Sequence, residues 1–263
     1  MELSNGVSMI FCSCDAYSDL WENFFSLLKK YWPEFDGEII LNTESKSFRY
    51  DGFTISEPLH CGKNVSWSQR LAWALDRAKN PLVLIVLEDF YLKAPVNHAA
   101  FCKSLAYMRA NPKVAGITYL REPGISKPEK ALPGFFRRKQ FSIYKMTAHI
   151  SLYRKDYLRS LLKKNESAWE FEVNGTIRSW FKPGACLCPQ NNNDAVFPYD
   201  FGSLILRGKY YGPVKRRFEK AEGIAFSDFR ETIEQWPVGG HGSARKKLMY
   251  FMKGLLSVFK ENA

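Results

Sequence analysis

Two adjacent acids, Glu88 and Asp89, end an unbroken run of apolar residues from Leu82 to Leu87. Six consecutive apolar residues after a proline predict a buried strand. In an open α/β sheet, ligands gather beyond the carboxyl ends of the strands, so carboxylates at that point meet both solvent and ligand. Carboxylate oxygens are also the ligands that hard divalent cations prefer. A structural interpretation stays open, in which either acid caps a turn or pairs with a nearby lysine or arginine.

Further charged positions suit a phosphorylated ligand. Asp15 follows the first predicted strand, and Arg70 lies in a predicted helix upstream of the acid pair. Arg207 and Lys209 stand in a glycine-punctuated loop before a helix that opens near Gly212. A guanidinium fork matches phosphate oxygens, and a cation beside the backbone donors of a helix start forms an anion site.

These positions also have structural interpretations. Asp15 is a suitable N-cap for the helix predicted from Tyr17. Arg70 has Asp76 or Glu88 as a partner for a surface ion pair. A solvated helix face accounts for the basic residues that follow the glycine-punctuated loop, which are Lys215, Arg216, Arg217 and Lys220.

The segment "NESAWEFEVNG" carries three acids, Glu166, Glu170 and Glu172, around two aromatic residues. In extended geometry Glu170 and Glu172 share one face while Phe171 enters the core. A carboxyl group beside an apolar wall has its pKa raised toward the range of a general base. A solvated acidic turn is the alternative. His149, flanked by apolar residues in a predicted strand, is interpreted as a core histidine.

The elements that position these residues alternate between strands and helices, which favours an α/β sheet. Strands are predicted in "VSMIFCSC", "GEIILNTE", "LVLIVLED", "VAGITYL" and "FSIYKMTAHISLY". Helices are predicted in "YSDLWENFFSLLKKYW", "SWSQRLAWALDRAK" with Ser66 as its cap, "NHAAFCKSLAYMRAN" and "RKDYLRSLLKK". The stretch from Glu122 to Gln140 has no helical stripe and predicts a long mobile loop that closes over a ligand. "PGACLCPQ" is also interpreted as a loop.

The chain has 263 residues, a formal net charge of +11 and a pI near 9.3. This charge favours anionic partners such as nucleic acid, phosphorylated small molecules or an anionic membrane. The N-terminus lacks the basic region of a secretory signal, so a cytoplasmic chain with free thiols is expected for the six cysteines. The C-x-C pairs at Cys12 and Cys186 leave a zinc site open as a weaker alternative. No apolar run reaches the length of a membrane span.

The C-terminal residues from about Ala244 to Lys260 predict an amphipathic helix with an apolar stripe and four basic residues around it. Such a helix can lie on an anionic membrane or pack on its own domain or on a partner subunit. The sequence therefore divides into one domain over residues 1–240 and a basic helix over 241–263.

Several of these motifs, in this order, resemble a family of bacterial cell-envelope polysaccharide glycosyltransferases of the GT-A type. They are "CSCDAYSDLW", "WSQRLAWAL", "VLIVLEDFYL", "ISLYRKDYLRSLLKKNESAWEFE" and "LILRGKYYGPVKRRFEKAEGI", which together cover most of residues 8–225. The resemblance implies a GT-A-like, Rossmann-like mixed sheet flanked by helices. It also implies transfer of a sugar from a nucleotide-diphosphate donor, with a UDP-sugar preferred, to a capsule, O-antigen or lipopolysaccharide glycan or a lipid-linked glycan.

The resemblance further assigns roles to the charged residues. Asp89, with Glu88, would hold Mn²⁺ or Mg²⁺, and Glu172 would be the catalytic base, with Glu170 as the second candidate. Asp15 would bind the uracil or ribose, and the diphosphate would be held by Arg70, Arg207 and Lys209. The enzyme would be cytoplasmic, or peripheral on the inner face of the plasma membrane.

One departure from the family pattern concerns the metal. The usual motif is D-x-D, whereas these acids are adjacent and would point to opposite faces of a straight strand. Asp89 is therefore the better ligand candidate, and Glu88 joins it only if the chain turns. A catalytically silent nucleotide- or sugar-binding relative is the alternative function. A nucleic-acid-binding protein is less favoured, because no known binding motif occurs.

Overall fold

The computed structural model describes residues 6–193, 195–199, 203–236, 252 and 254–259. The strands of the described residues are β1 (Val7–Cys12), β2 (Ile39–Asn42), β3 (Leu82–Leu87), β4 (Val114–Thr118), β5 (Ile125–Pro128), β6 (Phe135–Arg138), β7 (Ser151–Arg154), β8 (Ala185–Pro189), β9 (Ile205–Leu206), β10 (Lys209–Tyr211) and β11 (Thr232–Ile233). The α-helices are α1 (Trp21–Tyr31), α2 (Trp67–Arg77), α3 (His98–Ala110), α4 (Lys155–Leu161), α5 (Ala168–Trp180) and α6 (Gly212–Glu222). A 3-10 helix, Asp15–Leu20, precedes α1.

Eight strands form a mixed sheet in the order β2-β1-β3-β7-β4-β8-β6-β5. β1 is parallel to β2 and β3, and β4 is parallel to β8. β7 is antiparallel to both of its neighbours, β3 and β4. The carboxyl ends of β1, β2, β3, β4 and β8 therefore meet at one edge of the sheet, where β7 begins. We call this the carboxyl edge.

Alternate residues of the central strands enter two separate apolar cores. Met9 and Phe11 of β1 face the core that contains α1 and α3, whereas Ile10 faces the core that contains α2, α4 and α5. This alternation follows from the period of two in a strand, and helices on both faces explain why β1 and β3 are apolar at successive positions. The α/β fold class predicted from the sequence is confirmed.

Local signals at helix starts agree with the sequence interpretation in two places. The backbone amide of Gln69 donates a hydrogen bond of 3.3 Å to the Ser66 hydroxyl, which caps α2 as expected. α6 begins at Gly212 with Pro213 in its first turn, where proline's fixed φ and missing N–H are tolerated.

Three segments differ from their predictions. The expected mobile loop, 122–140, contains β5 and β6, which form the outer hairpin of the sheet. "PGACLCPQ" contains β8, which lies between β4 and β6. Of "FSIYKMTAHISLY", only the last three residues are in a strand, β7 (Ser151–Arg154). Edge strands pair through their backbones, and the side chains of β5 are mostly exposed, so no apolar pattern marked the hairpin.

The segment "NESAWEFEVNG" is helical rather than extended. α5 begins after Ser167, whose hydroxyl accepts from the Glu170 amide while the Glu170 carboxylate accepts from the Ser167 amide at 2.9 Å. This is a capping box. Two residues along a helix turn the side-chain direction by about 200°, so Glu170 and Glu172 do not share a face, contrary to the expectation.

The predicted C-terminal helix and the proposed boundary at residue 241 lie largely outside the described residues. Within the described part, residues 254–257 are helical and pack on α5. The Arg178 guanidinium donates a 2.7 Å hydrogen bond to the buried Ser257 hydroxyl. Among the described residues, no helix has both the length and the apolar character needed to cross a membrane.

Candidate active site at the carboxyl edge

Acids follow four strands at the carboxyl edge. Asp15 comes shortly after β1, Glu44 after β2, Glu88 and Asp89 directly after β3, and Glu122 after β4. Sequence reasoning identified Asp15 and the acid pair but missed Glu44 and Glu122. The same signal was available for both, since each lies within four residues of the end of its strand.

Glu88 and Asp89 lie together in a turn. The Phe90 amide donates to the Leu87 carbonyl at 3.2 Å, so the chain curls immediately after β3. The sequence allowed Glu88 as a second ligand candidate beside Asp89 only if the chain turns after β3, and the chain does turn there. Burial and the adjacent charge of Asp89 raise the pKa of Glu88 to about 8. No side chain of the described residues donates a hydrogen bond to the Glu88 carboxyl group, which leaves it available to a ligand.

The Asp89 carboxylate is held by hydrogen bonds from a side chain and from the backbone. Ser203 Oγ donates to Asp89 Oδ2, and the backbone of Ile205 provides a second hydrogen bond. Burial raises the pKa of Asp89, while these hydrogen bonds oppose the shift. Asp89 therefore connects the end of β3 to the start of β9.

Asp15 joins the loops that follow β1 and β2. Its carboxylate accepts hydrogen bonds of 3.1 Å from the backbone amides of Ser45 and Lys46. Burial alone would raise the pKa of Asp15, but these hydrogen bonds and that of the Ser45 hydroxyl lower it. The N-cap position of the 3-10 helix is Cys14, so Asp15 is not the cap that the sequence offered as an alternative.

Arg70 is buried beside this loop pair. Its guanidinium donates to Glu44 Oε1 at 2.6 Å and to the Ser13 carbonyl at 3.0 Å. Arg70 does not form an ion pair with Asp76 or Glu88, the partners that the sequence offered, and Asp76 pairs with Arg159 instead. Arg70 thus fixes the walls of the carboxyl edge through Glu44.

Arg207 and Lys209 lie on the hairpin of β9 and β10. Arg207 is exposed at the turn with a φ of 53°, and the Lys209 ammonium pairs with Glu231. Arg230 connects this hairpin to the residues after β1, because it donates to the Gly208 carbonyl at 3.1 Å and to the Ala16 carbonyl at 2.6 Å. The turn that carries Arg207 therefore borders the carboxyl edge.

Glu172 points from α5 toward the segment before β7. Its Oε1 accepts hydrogen bonds of 2.9 Å from the Thr147 hydroxyl and from the Ala148 amide. Glu170 instead serves the capping box of its own helix. The structure thus brings Glu172, but not Glu170, to the residues that lead into the carboxyl edge.

His149 was not predicted to take part in a site. Its Nδ1 lies 3.3 Å from Glu122 Oε1, its ring packs edge-on against Phe90, and 40% of its side chain is exposed. Burial would lower the pKa of His149, but the hydrogen bond to Glu122 and the charges of Glu172 and Asp89 raise it. No local signal revealed this, because only the antiparallel direction of β7 places His149 at the carboxyl edge.

The carboxyl groups at this edge do not form a complete set of metal ligands by themselves. Among the described residues, no group of three or more His, Cys, Asp or Glu is arranged to hold a metal ion. Glu88 and Asp89 are two neighbouring carboxyl groups whose ionisation is disfavoured, and a divalent cation commonly takes one or two carboxylates plus substrate phosphates. The pair therefore fits a cation that is completed by a diphosphate.

The zinc alternative does not fit the sheet. Cys12 lies in β1 and Cys186 in β8, and four strand spacings of about 4.8 Å separate them by roughly 19 Å. All six cysteines are free, as expected.

An open polar depression adjoins the acids on the β4 and β8 side. The residues that line it are Lys93, Asn97, Asn192, Asn193, Ala195, Pro198 and Tyr199. Tyr199 packs against Phe90 at 5.0 Å between ring centroids, and Phe90 contacts His149. The Asn192 side chain accepts a 2.7 Å hydrogen bond from the Arg121 amide just after β4. Amide side chains beside an aromatic ring suit the hydroxyl groups of a carbohydrate.

No protein-family model and no curated protein sequence matches the chain. Solved structures match it in fold. A crystal structure of TarS 1–349 from S. aureus superposes with a TM-score of 0.51 at 13% identity, and the match covers 74% of this chain and 59% of that chain. The same fragment in complex with UDP gives a TM-score of 0.50 at 12% identity, with the same coverage of 74% and 59%.

The chain therefore matches only 59% of the length of these TarS structures. At 12–13% identity this similarity shows the fold alone and not membership of a specific family. The Rossmann-like mixed sheet flanked by helices, predicted from the sequence, is confirmed.

Proposed function

We propose that this chain is a glycosyltransferase that moves a sugar from a nucleotide-diphosphate donor, preferably a UDP-sugar, to a glycan of the cell envelope. The observation that carries the proposal is the presence of five acids after the ends of four strands at the carboxyl edge of the sheet. The similarity to a UDP-bound structure supports this choice of donor. Residues 1–240 would be the catalytic domain, with 241–263 as an appended helix.

The donor would lie on the β1, β2 and β3 side of the edge. Asp15 would bind the uracil or ribose, since its carboxylate already holds the loop after β2 in place. Arg207 would contact the diphosphate from the exposed hairpin turn. Arg70 and Lys209 would act less directly, because their charges already face Glu44 and Glu231.

Glu88 and Asp89 would hold Mn²⁺ or Mg²⁺. The ion would neutralise charge on the leaving diphosphate. Without it, burial keeps a proton on Glu88 near neutral pH, because its pKa is about 8. The role of Asp89 is to keep one carboxylate fixed at the end of β3 through its hydrogen bonds to Ser203 and Ile205.

Glu172 would be the base that removes a proton from the acceptor hydroxyl. Its hydrogen bonds from Thr147 and Ala148 orient the carboxylate beside the segment that carries His149. The acceptor would occupy the polar depression beyond Tyr199, where amide groups can bind sugar hydroxyls. The acceptor would be a capsule, O-antigen or lipopolysaccharide glycan, or a lipid-linked glycan. The enzyme would act in the cytoplasm or on the inner face of the plasma membrane.

The test is release of nucleoside diphosphate from a panel of UDP-, GDP- and CMP-sugars, with and without Mn²⁺. We expect release of UDP from a UDP-sugar, with a large loss in Glu172→Gln. Absence of release from every donor, by a protein that also binds no nucleotide, would contradict the proposal.

One observation favours a second candidate, a nucleotide-binding relative without transferase activity. The charges of Arg70 and Lys209, which a catalytic site would use on the diphosphate, are engaged by Glu44 and Glu231. Binding of UDP without release of UDP from any UDP-sugar, in the presence of glycan acceptors, would select this candidate.

A further inference from the structure

The loop between β6 and β7 presents apolar side chains to solvent. Phe141 is 69% exposed, Ile143 58% and Tyr144 41%. Phe181, at the end of α5, is 63% exposed. We call these four side chains the aromatic loop surface. Apolar groups of this size gain free energy when they leave water, so a cluster of them in solvent indicates an interaction site.

The loop is held rigidly in this conformation. The buried Arg138 guanidinium donates to the Ile143 carbonyl at 2.6 Å, to the Pro123 carbonyl at 2.8 Å and to the Tyr144 carbonyl. Ser142, between the exposed residues, is buried. The exposure of Phe141 and Ile143 is therefore built into the fold rather than produced by a frayed loop.

A second set of contacts joins the loop to the end of α5. The Gln140 side chain donates to the Trp180 carbonyl at 2.6 Å, and the Trp180 indole donates to the Ser142 carbonyl at 3.1 Å. The Phe141 and Trp180 rings meet edge-on with centroids 5.9 Å apart. Phe181 follows Trp180 directly, so the loop and the helix end form one surface.

Basic side chains flank this surface. Lys139 is exposed beside Phe141, and Lys182 follows Phe181. Lysines that flank an apolar cluster can place their stems along the apolar groups and their ammonium groups against anionic headgroups.

We propose that the aromatic loop surface inserts into the headgroup region of an anionic membrane. Aromatic side chains favour the membrane interface, and basic residues near an anionic surface add electrostatic attraction. The apolar groups project from a loop and a helix end instead of forming a broad face, and the flanking lysines, Lys139 and Lys182, complement an anionic bilayer. None of its four residues belongs to the C-terminal segment 241–263 or to the acids of the carboxyl edge.

The position of this surface has a consequence that rests on the proposed function. Thr147 and His149 follow the loop within five residues of Tyr144 and reach the carboxyl edge. Insertion of the loop would therefore bring the acceptor side of the site close to the bilayer. A lipid-linked glycan would meet the site without leaving the membrane.

The test is co-sedimentation of the full chain with phosphatidylcholine vesicles, prepared with and without phosphatidylglycerol. Wild type is expected to bind the anionic vesicles. The double variant Phe141→Ser with Ile143→Ser is expected to bind them with an affinity at least about tenfold lower. Lys139→Glu should also weaken binding. Phe229→Ser, a substitution of another highly exposed aromatic residue on a different segment, is the matched control and should bind as wild type does.

Because the substituted side chains are exposed, the variants are expected to keep the wild-type circular dichroism spectrum and melting temperature. Wild-type binding by the double variant would overturn the proposal, since binding would then depend on another segment. Equal binding of wild type to neutral and anionic vesicles would overturn the proposed attraction between the basic residues and anionic headgroups. A wild-type dimer that the double variant converts to a monomer, without vesicle binding by either, would show that the surface joins two copies of the chain. Vesicle binding does not depend on catalysis, so this result and that of the donor assay can fail separately.

Discussion

Glu88 and Asp89 share one turn after β3, and burial together with the charge of Asp89 raises the pKa of Glu88 to about 8. Two adjacent carboxyl groups at a buried strand end cannot both ionise without cost. Such an arrangement is unfavourable for the fold alone and is typical of functional sites. It supports the proposed ligand role of the acids that end the "LVLIVLED" strand.

The first prediction concerns stability as a function of pH. The folded chain keeps the Glu88 proton up to about pH 8, whereas the unfolded chain loses it near the ordinary value of 4.5. The unfolded state therefore binds fewer protons in this window, and wild-type stability falls as the pH rises through it. Glu88→Gln removes this loss and should be more stable than wild type at pH 8.5 by on the order of 2 kcal/mol, since one pKa unit corresponds to about 1.4 kcal/mol.

Urea denaturation of both proteins from pH 4.5 to 8.5 measures this difference. Glu22→Gln, at an exposed position on α1, is the control and should follow wild type. A constant difference between Glu88→Gln and wild type across the range would contradict the predicted titration.

The second prediction separates the two acids of α5. Glu172→Gln should lower kcat by about 10²–10⁴-fold, the range for loss of a general base, while UDP binding is kept. Glu170→Ala should leave kcat nearly unchanged but lower the free energy of unfolding by roughly 1 kcal/mol, because it breaks the capping box. Steady-state kinetics and urea denaturation on the same two variants provide the comparison. Equal losses of activity in both would contradict the roles assigned here.

The third prediction concerns the buried pair of Arg70 and Glu44, which are joined at 2.6 Å. Arg70→Met leaves the Glu44 carboxylate buried without its partner and should cost about 3 kcal/mol or more of unfolding free energy. Adding Glu44→Gln to Arg70→Met should restore part of this loss, because the uncompensated charge is removed. A double variant no more stable than Arg70→Met would show that the charge of Glu44 needs no partner.

The fourth prediction concerns the His149 imidazole. The hydrogen bond to Glu122 and the charges of Glu172 and Asp89 raise its pKa above the ordinary value of 6.5 despite burial. An NMR titration of the ring protons should therefore show a pKa above 6.5 in wild type and a lower value in Glu122→Gln. Unchanged titration in Glu122→Gln would mean that this carboxylate does not control the charge of His149.

The acids at the strand ends could be predicted from the sequence, because a long apolar run indicates a buried strand even when its neighbours in the sheet are unknown. Applied without exception, the same reasoning would also have found Glu44 and Glu122. The position of His149 at the site could not be predicted from the sequence, because it depends on β7 running antiparallel between β3 and β4. Strand direction is a property of the whole sheet and leaves no mark in the local sequence.

Two further errors have local causes. β5 is the edge strand of the sheet, with mostly exposed side chains, and β6 beside it is only four residues long, so the composition of the hairpin resembled that of a loop. The helix α5 was signalled by Ser167 and Glu170, which have the spacing of a capping box. The alternation of aromatic and acidic residues from Trp169 to Glu172 was interpreted as extended instead, and the extended geometry expected for Glu170 and Glu172 was wrong.

The measurement that tests the central claim most directly is isothermal titration calorimetry of UDP binding in the presence of Mn²⁺. We expect wild type to bind UDP, and Asp89→Asn to bind at least about tenfold more weakly, a loss of about 1.4 kcal/mol. Asp156→Asn is the matched control, because this exposed acid begins α4 at the opposite edge of the sheet and should bind UDP as wild type does. Equal affinities in wild type and Asp89→Asn, or no UDP binding by wild type, would contradict a nucleotide site at the carboxyl edge.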